Sequence, residues 1–448
     1  MTLNKKQIID SIGFSAILLF TICLITEPVY CSIFILPLLF YLSLKALVSR
    51  RWFFYILISI FTLLPQADRY NLLPYLSTTF VFFLLAISLI YLLVDLRYKH
   101  SCLIMIIFAV IVVLQGIRGK LYNYDNYQIV SGAVKLLFYP VGFFFAVSLF
   151  KDKKSNAAFL KSLFPLFIII GVIISFQIIG YHLFLTRGAR VASRQTNILL
   201  VSLISALSLL YFFKLNSIKK IALVAISILY ISAIFLTMQR SLFVAVIISL
   251  LLFMSLCLKT ARKKTKTVIT FIIIIAVLAT SIFMIAPSFS LNRDISSRSS
   301  EAIDKGLETP SLQIRFFFFL KVYNIIKKNV LFGQGVGDTV VLPFSNQRLK
   351  SFVDNSYLVL IWKLGLTGFL VFASIFFLFI KKAFYIIKNS KSRLYVTVSI
   401  ALLCTIIGHS VTGLACAIMS HYHFNFIWGA FIGIIYYLYD EVYVQAGN

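Results

Sequence analysis

Acidic residues are scarce: fourteen aspartates and glutamates in 448 residues, against forty-two lysines and arginines. Charged residues of both signs make up only 12% of the chain. A soluble globular domain carries about twice that share, so one water-soluble domain is excluded. Cysteines are few as well. Cys23, Cys31, Cys102, Cys257, Cys404 and Cys416 lie in or beside apolar runs, and no Cys-x-x-Cys spacing occurs. That excludes a disulfide framework and a zinc-site pattern and leaves them as small core residues. A small-residue cleavage site is missing too. After Lys5-Lys6 the apolar run continues to Ile25, so it reads as a first span and not as a removed signal. No fixed-period repeat or linker divides the chain, which reads as one membrane domain over residues 1–448.

What is abundant is apolar surface, 61% of residues. A span needs about 20 apolar residues. The runs predict an all-α polytopic membrane protein of about fourteen helices, within a range of twelve to fourteen. They fall near 8–26, 29–47, 52–66, 72–94, 101–117, 129–150, 162–184, 198–213, 221–238, 242–258, 267–287, 356–380, 394–414 and 424–440. The net charge of +28 would suggest nucleic acid in a soluble chain. Here it follows topology instead. Twenty-four lysines and arginines sit in loops on the side of the N-terminus, and seven in the short loops opposite. By the positive-inside rule both termini are cytoplasmic and the long loop 288–353 lies outside. Nucleic acid is therefore not an expected partner.

Positive charge on the disfavoured side needs a reason. Arg187, Arg190 and Arg194 fall within eight residues of one short outer loop. They form an anion site, phosphate first given the guanidinium fork, or they contact lipid headgroups. Arg240 stands in a tight outer turn, Thr237-Met238-Gln239-Arg240. It snorkels to headgroups or faces a polar cavity. Within the long loop, about 312–331 has helical spacing and predicts an interfacial helix. Lys321, Asn324, Lys327 and Lys328 share its polar stripe. Arg315 does not. It lies on the apolar side, where a charge faces hydrocarbon unless it faces a cavity. Gly333, Gly335 and Gly337 follow, read as a helix stop and tight turn because no strand precedes them. Asp354 stands at the mouth of the next span, as a general base or a helix N-cap. Lys135 and Lys363 lie just inside their spans and are expected to snorkel. His409, His421 and His423 read as interface residues, with no acid or cysteine to complete a metal site.

These pieces, in their order, resemble the O-antigen polymerase/ligase superfamily, the Wzy and WaaL membrane proteins of surface-polysaccharide assembly. The resemblance rests on the arginine-rich loop 187–197, the Thr237-x-x-Arg240 turn and the Arg315-led aromatic helix running into Gly-x-Gly-x-Gly. It continues through Asp354-Asn355, nine residues, Gly365, two residues and Gly368. The ligases carry histidine where this chain has Asp354, so the resemblance favours a polymerase. It implies a GT-C-like, metal-independent glycosyltransferase with no cofactor, in the bacterial inner membrane, with a large periplasmic loop. Its substrate would be undecaprenyl-diphosphate-linked oligosaccharide, and a chain-length regulator of the pathway is among the implied partners. Arg187, Arg190, Arg194, Arg240 and Arg315 would hold the diphosphate, with Arg315 and Asp354 catalytic. An O-antigen ligase joining polymer to lipid A-core is one alternative. A lipid-linked oligosaccharide flippase is the other, although short loops and many buried charges would be expected of it.

Overall fold

The computed structural model describes residues 103–151, 156–184, 194–237, 239–260, 310–341, 349–350, 355–416 and 422–447, with isolated positions between 51 and 59. Among these, ten α-helices follow in order: α1 Leu103–Leu121, α2 Asn126–Ser148, α3 Asn156–Phe184, α4 Ile198–Phe212, α5 Ser217–Leu236, α6 Arg240–Thr260, α7 Pro310–Lys328, α8 Ser356–Asn389, α9 Arg393–Ala415 and α10 Tyr422–Gly447. Short 3-10 turns precede α3 and α4. Among the described residues the only strands form a two-residue antiparallel ladder, Val340–Val341 with Leu349–Lys350.

Seven of the described helices are long and apolar enough to cross a membrane: α1, α2, α3, α5, α6, α8 and α9. The protein is thus a polytopic helical membrane protein. α4 is as apolar but has only 15 residues, short of the usual crossing length. α10 carries Tyr436, Tyr437, Tyr439 and Tyr443 and falls outside the seven. The spans expected at 8–26, 29–47, 72–94 and 267–287, and most of 52–66, lie outside the described residues.

In lipid no hydrophobic drive pulls helices together, so close backbone approach must do it. α2 and α10 show how. Cβ atoms added at Gly142, Gly429 or Gly433 would strike the carbonyls of Phe426, Tyr139 and Phe143 respectively. Gly429 and Gly433 are one turn apart, the small-xxx-small spacing of such contacts. Around this pair the aromatic core closes, with Trp428, Tyr139, Phe143 and Phe431 all buried. α6 lies on α9, α3 on α4, and α8 touches α1, α9 and α10.

At one end of the bundle Asn156 opens α3 and is fully used. Its Oδ1 accepts from the Arg51 guanidinium at 2.8 Å, and its Nδ2 donates to Tyr437 Oη at 2.8 Å and the Phe150 carbonyl at 3.2 Å. Phe150 stacks on Tyr437 with ring centroids 4.1 Å apart. Charge and amide are satisfied together, as burial in an apolar interior requires.

Candidate functional site at the broken end of α8

α8 is not one continuous helix. Gly365 has φ +73° and ψ −178°, which splits the span ten residues from its start. A break inside hydrocarbon strands backbone groups, which is tolerated only where other protein meets them. The glycine turn meets them here. Gln334 N and Gly335 N donate to the carbonyls of Trp362 and Lys363 at 2.9 and 3.2 Å. In return Leu366 N and Thr367 N donate to the carbonyls of Val330 and Leu331 at 2.9 and 3.1 Å. Gly333 and Gly365 pass so close that a Cβ on either would collide with the other's backbone. Both also have positive φ, as do Gly335 and Gly337, which side chains other than glycine resist. Val336 then wedges between α1 and α2, against Gly119 and Gly132, with its N–H on the Gln115 carbonyl at 3.1 Å.

A side-chain latch closes the splice. Asp338 Oδ2 accepts from the Trp362 indole at 2.7 Å, and the Lys363 ammonium donates to the Asp338 carbonyl while lying over the Trp362 ring. Burial, helped by the nearby Asp338 charge, pushes the Tyr124 phenol of the adjoining α1–α2 turn up to about 12. α7 docks on the N-terminal half of α8. Phe318, Val322 and Ile326 form its buried stripe against Val359 and Trp362. Phe316, Phe317, Phe319 and Tyr323 are exposed.

Four helix ends meet beside this splice through polar contacts. Thr196, in the 3-10 turn Arg194–Asn197, donates to Gln239 Oε1 at 3.0 Å. Gln239 Nε2 donates to Ser241 Oγ at 3.4 Å and to Cys416 Sγ at 3.3 Å. Ser356 Oγ donates to the Cys416 carbonyl at 2.8 Å, Asn355 Nδ2 to the Leu414 carbonyl at 3.1 Å and Tyr357 Oη to the Ser410 carbonyl at 2.8 Å. The start of α4, the α5–α6 turn, the start of α8 and the end of α9 therefore form one connected patch. His409 anchors it from below. Trp428 Nε1 lies 3.0 Å from His409 Nδ1, and His409 Nε2 lies 2.9 Å from the Asn197 carbonyl. An indole N–H can only donate and a carbonyl can only accept. His409 is thus fixed with its hydrogen on Nε2.

Arg194 opens the 3-10 turn of this patch, Arg240 opens α6 next to Gln239, and Arg315 lies in α7. By helical spacing position 315 continues the Phe318, Val322 and Ile326 stripe one turn further toward the N-terminus. Backbone placement thus brings the Arg194 and Arg240 positions together, with the α7 stripe docked on the same half of α8. Arg187, Arg190 and Asp354 lie outside the described residues, as do His421 and the side chain of His423.

Three expectations are corrected. Lys363 does not snorkel: only 6% of it is exposed, and its ammonium is held inside by Asp338. His409 is no interface residue but is wholly buried between α4 and α10. The N-cap of α8 is Asn355, whose Oδ1 accepts from Leu358 N at 2.9 Å, so Asp354 is not required for capping. The glycines do stop a helix, with Gly333 N on the Asn329 carbonyl. Their larger task, filling the break at Gly365, was not foreseen. The signal was present in the paired glycines of Gly333–Gly337 and Gly365. What hid it is that a plug and its socket lie thirty residues apart.

Residues 222–373 match the family model described as O-antigen ligase. The matched stretch begins in α5 and ends inside α8, so it takes in the α5–α6 turn, α7, the glycine turn and the break. Over that third of its length the chain is similar to the O-antigen ligase family. No curated protein matches it.

Proposed function

We propose, from the similarity of residues 222–373 to the O-antigen ligase family, that this chain polymerises undecaprenyl-diphosphate-linked oligosaccharide repeats at the periplasmic face of the inner membrane. It does so as a fourteen-span, GT-C-type glycosyltransferase with both termini in the cytoplasm, and without a metal. The growing chain leaves its lipid diphosphate and joins the non-reducing end of a new lipid-linked unit. A chain-length regulator would act alongside it.

One observation carries this reading: the patch that ties the Arg194 turn, the Arg240 turn and the Asn355 cap together. Leaving diphosphate needs cations already in place where negative charge develops. Arg187, Arg190, Arg194, Arg240 and Arg315 would supply them from separate loops. Capping by Asn355 leaves Asp354 for the acceptor hydroxyl, as base or clamp. The matched family description favours a second reading, transfer of finished polymer to a lipid A-core. Aspartate at position 354, where the ligases carry histidine, is what tips the choice.

The two readings separate in one assay. Purified protein in lipid nanodiscs is given the lipid-linked repeat unit alone, with no core acceptor. Polymerase chemistry yields a ladder of longer lipid-linked products. Absence of a ladder, with polymer transfer restored by lipid A-core, would establish the ligase instead.

A further inference from the structure

Asparagine opens several helices of this protein, and one of those asparagines behaves differently. Asn216 caps α5 by accepting from Lys219 N at 3.1 Å, and Asn355 caps α8 by accepting from Leu358 N at 2.9 Å. Both have the extended backbone that an N-cap requires. Asn197 opens α4 with a helical backbone, φ −65° and ψ −22°, and its side chain makes no cap bond. Only 4% of the residue is exposed, and its Oδ1 has no hydrogen-bond partner among the described residues. A buried carbonyl oxygen left alone is costly and rare in native interiors.

The surroundings hold it there. His409 grips the Asn197 carbonyl from one side, and its neighbour Thr196 is tied to Gln239 on the other. The 3-10 turn cannot relax into an N-cap without losing both bonds. The orphan oxygen thus sits in the patch that gathers the arginine-bearing ends. Its chemistry also restricts what can reach it. An amide oxygen only accepts, and an ionised diphosphate has no hydrogen to give. A sugar hydroxyl or acetamido N–H does.

We infer that Asn197 is a sugar-binding residue, whose side-chain oxygen accepts a hydrogen bond from the glycan attached to the lipid diphosphate. It reads the sugar, while the arginines hold the phosphates. The inference rests on the proposed function, since it assumes a lipid-linked glycan at this end of the bundle.

The test is binding by full-length protein in nanodiscs of two probes. One is undecaprenyl diphosphate without sugar. The other is the lipid-linked oligosaccharide that accumulates in cells lacking this protein. Asn197→Leu and Asn197→Ala are each expected to weaken the glycan-bearing probe about tenfold while sugar-free diphosphate binds as in wild type. Retained diphosphate binding reports an intact fold. Equal loss of both probes in both variants would overturn the inference, and so would wild-type binding of both. Arg194→Ala separates this from the underlying reading. It should weaken both probes together. If wild-type protein binds neither probe, the proposed function falls, whatever Asn197 does.

Discussion

Two buried asparagines begin neighbouring antiparallel helices, and they are treated in opposite ways. Asn156, at the start of α3, spends its amide on Arg51, Tyr437 and the Phe150 carbonyl. Asn197, at the start of α4, has its backbone carbonyl gripped by His409 and its side-chain oxygen left unpartnered among the described residues. The first end is closed on itself, with aromatic stacking and glycine-packed α2 and α10 around it. The second is assembled from helix ends, a broken span and a loop. A closed end is what stability selects. An end that spends hydrogen bonds on fixing backbone while leaving an acceptor unused is what binding selects.

The sharpest way to break this contrast is a charge reversal at the second end. Arg315→Glu should abolish chain extension with protein still in the membrane at wild-type level, read as loss of the product ladder against an unchanged immunoblot. Position 315 continues the docked stripe of α7. Full-length ladders from Arg315→Glu would remove that arginine from the mechanism. Next in size is Gly365→Ala. Its φ of +73° costs a residue with a Cβ about 1–3 kcal/mol, and the new carbon would strike Leu331 and Gly333 backbone besides. It should therefore lower thermal stability and activity together, because the plug that holds α7 near α8 is displaced. Stable, active Gly365→Ala protein would mean that the break is not maintained.

The closed end gives the control. Asn156→Leu removes one hydrogen bond each from Arg51, Tyr437 and the Phe150 carbonyl. The expected loss is on the order of 3 kcal/mol, from one buried polar network broken. Turnover per folded molecule should not change. If Asn156→Leu instead lowered turnover in folded protein, the two ends would not be functionally separate.

How far all this could be read beforehand follows from the range of each interaction. Apolar runs are local, so the helices from α1 onward were legible to within several residues. The expected sidedness of the loops, from their basic residues, is what made the arginines conspicuous. The helix in the long loop was legible from its spacing. Pairings across the chain were not. Nothing near Gly365 says that residues 330–336 will fill its break, and nothing near Lys363 says that Asp338 will take its ammonium. His409 is the clearest case. Alone it looks like one of three histidines by an outer turn. Only the fold puts Trp428 on one ring nitrogen and Asn197 on the other.

That histidine also gives the smallest predicted effect. Trp428→Phe keeps a ring beside His409 but removes the N–H that Nδ1 accepts at 3.0 Å. The direct loss is one buried hydrogen bond, about 1 kcal/mol, visible as a modest drop in thermal midpoint. A second consequence is specific. Without the indole donor, Nδ1 can take the hydrogen and Nε2 can lose it, so the grip on the Asn197 carbonyl is no longer obligatory. Imidazole nitrogen shifts should then report a mixture of tautomers where wild type reports only Nε2–H. KM for the lipid-linked glycan should rise a few fold while kcat holds, because the turn bearing Arg194 and Asn197 loosens without losing any group that touches substrate. Tautomers unchanged in Trp428→Phe would show that the Asn197 carbonyl alone fixes the ring, and the indole would then belong with the closed end.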